Sequence, residues 1–173
     1  ALDEQALDLL VQAGVAFVTI DLNYHPASGT WDTHGDNIPP YGGIRKGLTP
    51  LLPLFDHLIT TLVADLESHE LLDDVLVIAM GEFGRTPRFN GNGGRDHWGH
   101  VFSMALAGGG VRGGIVHGSS DKDAAFPLEG RTQPGDLMAT IFHCLGIRPD
   151  TEYYDMVDRP APVSRGHVIQ ELF

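Results

Sequence analysis

Two short apolar runs, VAFVTIDL (15–22) and VLVIAM (75–80), do most to limit how this chain folds. Their length and β-branched residues suit strands buried on both faces, as in sheets covered by helices. Between them Leu51, Phe55, Leu58, Leu62 and Leu66 keep helical spacing as far as His69, behind Thr49 and Pro50 as N-cap and first helical residue. Strand, helix, strand with a connection of that length predicts an α/β fold, a mixed and largely parallel sheet flanked by helices.

The remaining segments fit that frame. ALDEQALDLLVQAG (1–14) reads as a helix capped by Asp3, with Leu7, Leu10 and Val11 on one face and Gly14 as its stop. VFSMALAGGG (101–110) reads as a third strand, IVHGSS (115–120) as a short fourth, and Pro134 to Leu145 as a helix closed by Gly146. From Arg148 the chain is polar and Pro-punctuated, a surface tail over 148–173 of a single domain covering 1–173. GGGVRGG (108–114) lacks the Lys-Ser/Thr of a phosphate loop and reads as a turn.

Charge narrows the function classes. The 173 residues carry 23 Asp+Glu against 11 Lys+Arg, a net charge of -12, which repels nucleic-acid backbones and anionic bilayers. No nucleic-acid partner is expected, and no run reaches the roughly 18–20 apolar residues of a membrane span. No signal peptide opens the chain, which begins with Ala in mid-helix, as a fragment or processed product would. The one cysteine, Cys144, sits among Ile141, Phe142 and Leu145 and reads as a buried, inert thiol.

The chemistry-bearing residues gather in two loops that follow strands, where open α/β sheets collect ligands. In GTWDTHGDN (29–37), Asp32 and His34 stand two apart and project the same way from an extended segment. A carboxylate and an imidazole offered together suit zinc, manganese or iron; the bland alternative is an Asx turn at Asp32 with His34 merely exposed. Asp36 and Asn37 read as turn formers.

The second loop is GEFGRTPRFNGNGGRDHWGH (81–100). Glu82, at the tip of its strand, is a candidate metal ligand or general base, and Arg85 has the planar fork that grips an anion in two-point fashion. A Glu82–Arg85 ion pair bracing the turn is the alternative. Asp96 and His97 are candidate ligands, one of them able to serve as orienting partner, and His100 is a ligand or proton shuttle. His57 and His69 lie on the long helix, His143 is a packing residue, and His25, His117 and His167 receive no role.

WDTHGDN, LLDDVLVIAMGEFGRTP, GGRDHW, SMALAGGGVRGG, HCLGI and DRPAPV together resemble the domain-of-unknown-function 1501 family of bacteria. That family is grouped with alkaline phosphatases, sulfatases and cofactor-independent phosphoglycerate mutases. The resemblance implies an alkaline-phosphatase-like core, with this chain as the C-terminal portion of a longer domain. It implies a metal-dependent hydrolase of phosphate or sulfate esters acting on a small anionic ester. Zinc is the foremost cofactor, with manganese, calcium or magnesium as alternatives.

By position Asp32, His34, Glu82, Asp96 and His97 would hold the metal, and Arg85, Glu82 and His100 would serve catalysis. The chain departs from superfamily relatives in the close spacing of Asp32 and His34 and in Phe83, which stands where a His is usual. The nucleophile is expected from an N-terminal part that relatives possess, and export to the periplasm or cell envelope is a family-level expectation. A non-catalytic binding or scaffold module is the alternative reading.

Overall fold

The computed structural model describes residues 9–22, 31–35 and 43–173. It divides into two compact units, Ala1–Glu70 with Arg85–Trp98, and Leu71–Gly84 with Gly99–Phe173. Asp3, Leu7, His25, Asp36 and Asn37 lie outside the described residues.

In the first unit, of the helix read over 1–14, the described residues 9–12 are helical. Gly14 takes φ +80°, its N–H donates to Val11 at 2.9 Å, and the Val15 N–H donates to Leu10 at 3.0 Å. That pair of bonds is the glycine stop that answers a helix's last free carbonyls. Residues 15–22 form no ladder among the described residues, and Phe17 is 71% exposed. An apolar run reports a demand for burial, but a strand exists only where a neighbour offers its backbone groups.

The long helix, α1, spans Thr49–Ser68. Thr49 is not its cap: a π-helical turn at Gly43–Leu48 runs straight into it, so the cap residue is Leu48, already helical at φ -78° and ψ -28°. With helical chain upstream, the N–H groups that a capping hydroxyl would serve are not at a free end. Leu51 and Leu66 are buried, Phe55, Leu58 and Leu62 are half-buried, and Asp56, His57, Thr60 and Glu67 face solvent. At the far end the His69 ring Nδ1–H donates to the Asp65 carbonyl at 2.9 Å, closing the last turn.

By length and composition alone Gly43–Ser68 is long and apolar enough to cross a membrane, although polar residues interrupt it. Leu51 and Leu66 are its two buried residues, and Leu52 is half exposed beside the polar Asp56, His57 and Thr60.

In the second unit β1 (Val77–Ala79) pairs antiparallel with Ala105–Ala107, Ile78 opposite Leu106. The glycines that follow, Gly108, Gly109 and Gly110, all take positive φ. A side chain on Gly108 would run into the Leu72 and Val75 carbonyls, so the turn must be bare there to lie on the incoming chain.

Counting along the chain, β2 (Gly84–Arg85) ladders with β3 (His97–Trp98), and Ala105–Ala107 is β4. β5 (Ser119–Ser120) pairs with β6 (Pro127–Glu129), so the strand expected over 115–120 contracts to its last two residues. β7 (Glu152–Tyr154) pairs with β8 (Pro160–Pro162). Among the described residues the β1–β4, β5–β6 and β7–β8 ladders are antiparallel.

α2 spans Pro134–Cys144, and its Asp136 carboxylate reaches back to accept from the Gln133 N–H at 2.8 Å. Cys144 is half-buried, not buried as its apolar neighbours suggested, and desolvation pushes its thiol above the ordinary pKa. The stretch 148–173 is mostly at the surface, yet its end is seated. Leu172 is buried, the Arg112 N–H donates to the Leu172 carbonyl at 2.7 Å, and the Ile169 N–H donates to Thr140 Oγ1 at 3.0 Å.

Candidate functional site

The site lies in the first unit, where the Asp32–His34 segment meets the loop 85–98. Trp31 anchors the segment: its indole N–H donates to the Leu22 carbonyl at 3.1 Å, and its ring stands edge-on to Phe55 of α1 at 6.1 Å. The loop meets the segment backbone to backbone. Arg95 N–H donates to the Thr33 carbonyl at 2.8 Å, and Gly35 forms an isolated antiparallel bridge with Gly93. Gly94 is buried against this contact, where a Cβ would collide with the His34 carbonyl group and the Gly35 nitrogen.

Asp32 turns its carboxylate onto the next-but-one residue. Oδ1 accepts from the His34 backbone N–H at 2.9 Å and lies 3.0 Å from His34 Nδ1. Burial raises the pKa of this carboxyl, but the His34 backbone and ring hydrogen bonds, and the charges of His34 and Arg85, outweigh it and hold the carboxyl below its ordinary value. Asp32 is therefore ionised at neutral pH and can only accept, which makes Nδ1 of His34 the donor. In a neutral ring the lone pair then falls on Nε2. The Asx turn of the sequence reading is present, and the same carboxylate oxygen holds the His34 ring.

Around that ring stand two further groups. His97 lies with its ring centroid 4.7 Å from that of His34, tilted by 48°. Arg85 Nη1 is 3.5 Å from His34 Nε2 and donates to the Arg95 carbonyl at 3.2 Å. Two imidazoles and a guanidinium thus stand at one place beside an ionised carboxylate. Asp96 is exposed; its Oδ1 accepts from Asn90 Nδ2 at 2.8 Å.

Of the residues singled out in the sequence, the structure thus gathers Asp32, His34, Arg85 and His97, with Asp96 on the same loop. Glu82 and His100 belong to the second unit: Glu82 is exposed three residues beyond β1, and the His100 ring lies 4.9 Å from that of Phe126. Among the described residues no three His, Cys, Asp or Glu side chains stand in metal-holding geometry.

Two residues of the site, Asn90 and Arg95, escaped the sequence reading. Asn90 bonds to both segments, with Nδ2 donating to the His34 carbonyl at 2.8 Å as well as to Asp96. Arg95 braces the loop, donating to the Thr86 and Pro87 carbonyls at 2.7 and 2.9 Å, with its guanidinium 4.6 Å from the centre of the Phe89 ring. Thr33 is 94% buried, and its hydroxyl finds no partner among the described residues. The only sequence signal for Asn90 is the NGNGG run, which marks a turn and says nothing of what the amide reaches.

No curated protein and no solved structure matches the chain. The model of one family, described as "Protein of unknown function (DUF1501)", matches residues 7–173, and with nearly its whole length covered the chain belongs to that family.

Proposed function

We propose that the chain carries the imidazole and guanidinium machinery of a divalent-metal-dependent hydrolase of small phosphate or sulfate esters, built on an alkaline-phosphatase-like α/β core. The observation that carries this reading is the Asp32–His34 pair: a carboxylate at 3.0 Å from Nδ1 leaves Nε2 as the ring's ligating nitrogen. Metal-binding histidines are typically oriented in this way by a carboxylate on the other nitrogen. The donor chemistry fits zinc, with His34 and His97 as nitrogen donors and Asp32 as the orienting group. A bound divalent ion would polarise the ester. Arg85 would bind the ester's anionic oxygens and stabilise the charge that builds on them.

Turnover of para-nitrophenyl phosphate and para-nitrophenyl sulfate by the zinc- or manganese-loaded chain tests the reading. Release of nitrophenol, lost in Arg85→Ala with metal still bound, is the expected result. A folded, metal-loaded chain that turns over neither ester is the result against it.

One observation favours a second reading, a binding or scaffold module without catalysis. Arg85 Nη1 stands 3.5 Å from the nitrogen a metal would use, as in a closed hydrogen-bonded cluster. Under that reading Arg85→Ala lowers stability and there is no turnover to lose.

A further inference from the structure

The side-chain amide of Asn90 uses its whole bonding capacity. Oδ1 accepts from the Asn92 N–H at 2.9 Å and the Gly94 N–H at 3.1 Å. Nδ2 donates to the His34 carbonyl and to Asp96 Oδ1, both at 2.8 Å. An amide offers two donors and one oxygen with two lone pairs, so nothing is left over, and the orientation is fixed because each end faces only its complement. The oxygen end folds the loop 90–94 upon itself. The nitrogen end does something different: it ties that loop to the backbone of His34 and at the same time holds the carboxylate of Asp96.

We infer that Asn90 is a positioning residue, whose amide nitrogen sets the spacing of His34 against His97 and the placement of Asp96. The inference rests on taking this cluster as the functional site. Asp in its place keeps the acceptor that folds the loop, loses both donors, and turns a charged oxygen toward the His34 carbonyl and the Asp96 carboxylate. Asn90→Asp therefore separates positioning from loop folding, and Asn92→Ala, which spares the backbone N–H that Asn90 uses, is the control.

The test is histidine-resolved NMR on the full chain with added zinc. Wild type and Asn92→Ala are expected to show a ring-to-ring nuclear Overhauser contact between His34 and His97. In Asn90→Asp that contact is expected to vanish and zinc affinity to fall at least about tenfold, while the Asn92 and Gly94 amides stay protected from exchange. Asn90→Asp that retains the ring contact, with zinc affinity within about twofold of wild type, overturns the inference. So does loss of amide protection together with the contact, since Asn90 would then only fold its loop, and so does a wild type without the contact. If wild type takes up no zinc, the metal reading fails, and the ring contact in the zinc-free protein decides the role of Asn90 alone.

Discussion

The imidazoles of His34 and His97 stand 4.7 Å apart between ring centres, one from the turn that follows Trp31 and Asp32, the other from β3 at the end of a glycine-rich loop. Neither segment could hold its ring there alone. The approach is made by backbone contacts, Arg95 to Thr33 and Gly93 to Gly35, and is set by the absence of a side chain at Gly94.

Gly94→Ala is the sharpest test of that approach. The new methyl meets backbone atoms of His34 and Gly35, which cannot rotate away, so the loop must lift. A loss of about 1–3 kcal/mol is expected in denaturant unfolding, with zinc affinity falling alongside. Gly91→Ala, which has open space around it, should stay within about 0.5 kcal/mol of wild type.

Asp32→Asn keeps an oxygen for the His34 backbone N–H but removes the charge that holds Nδ1–H. Zinc affinity should fall about tenfold to a hundredfold, read by competition with a chromophoric chelator, while the far-ultraviolet circular dichroism is unchanged. An unaltered affinity would mean that Asp32 does not orient the ring.

Thr33→Val removes a buried hydroxyl that has no partner among the described residues, while keeping the shape of the side chain. A stranded polar group of this kind costs about 1–3 kcal/mol, so the variant should gain about 1 kcal/mol in thermal or denaturant unfolding. A clear loss would show that the hydroxyl serves a contact made only when a ligand is bound.

In the second unit Asp136 supplies an acid-sensitive element. Its carboxyl is held below the ordinary value of 3.8, first by the His167 N–H and then by the Gln133 N–H. The folded pKa is depressed, so its contribution to stability is present above the ordinary value and is lost as pH falls through the folded one. Wild type should weaken as pH drops below about 4, and Asp136→Asn should show a flatter acid limb in urea unfolding followed against pH.

Local signals were legible in the sequence where they are self-contained. Gly14 stops its helix because a positive φ is a property of one residue, and the burial of Leu51 and Leu66 follows from spacing along a single helix. Thr49 misled because a capping hydroxyl matters only at a free helix end, and whether Gly43–Leu48 forms a turn depends on more than the Thr-Pro pair. The run 15–22 announced its hydrophobicity but not a partner strand. Asp32 and His34 were readable as a pair at close range. That His97, and not His100, would share their unit was not readable, because it depends on where the chain leaves the loop after Trp98. Asn90 was hidden for the same reason: its bonds to His34 exist only once two remote stretches have met.

X-ray absorption at the zinc edge of the loaded full chain tests the central claim most directly. The account predicts imidazole nitrogen scattering at about 2.0–2.1 Å that disappears when His34 and His97 are both replaced by Ala. A zinc environment without imidazole, or one that the double replacement leaves unchanged, would contradict it.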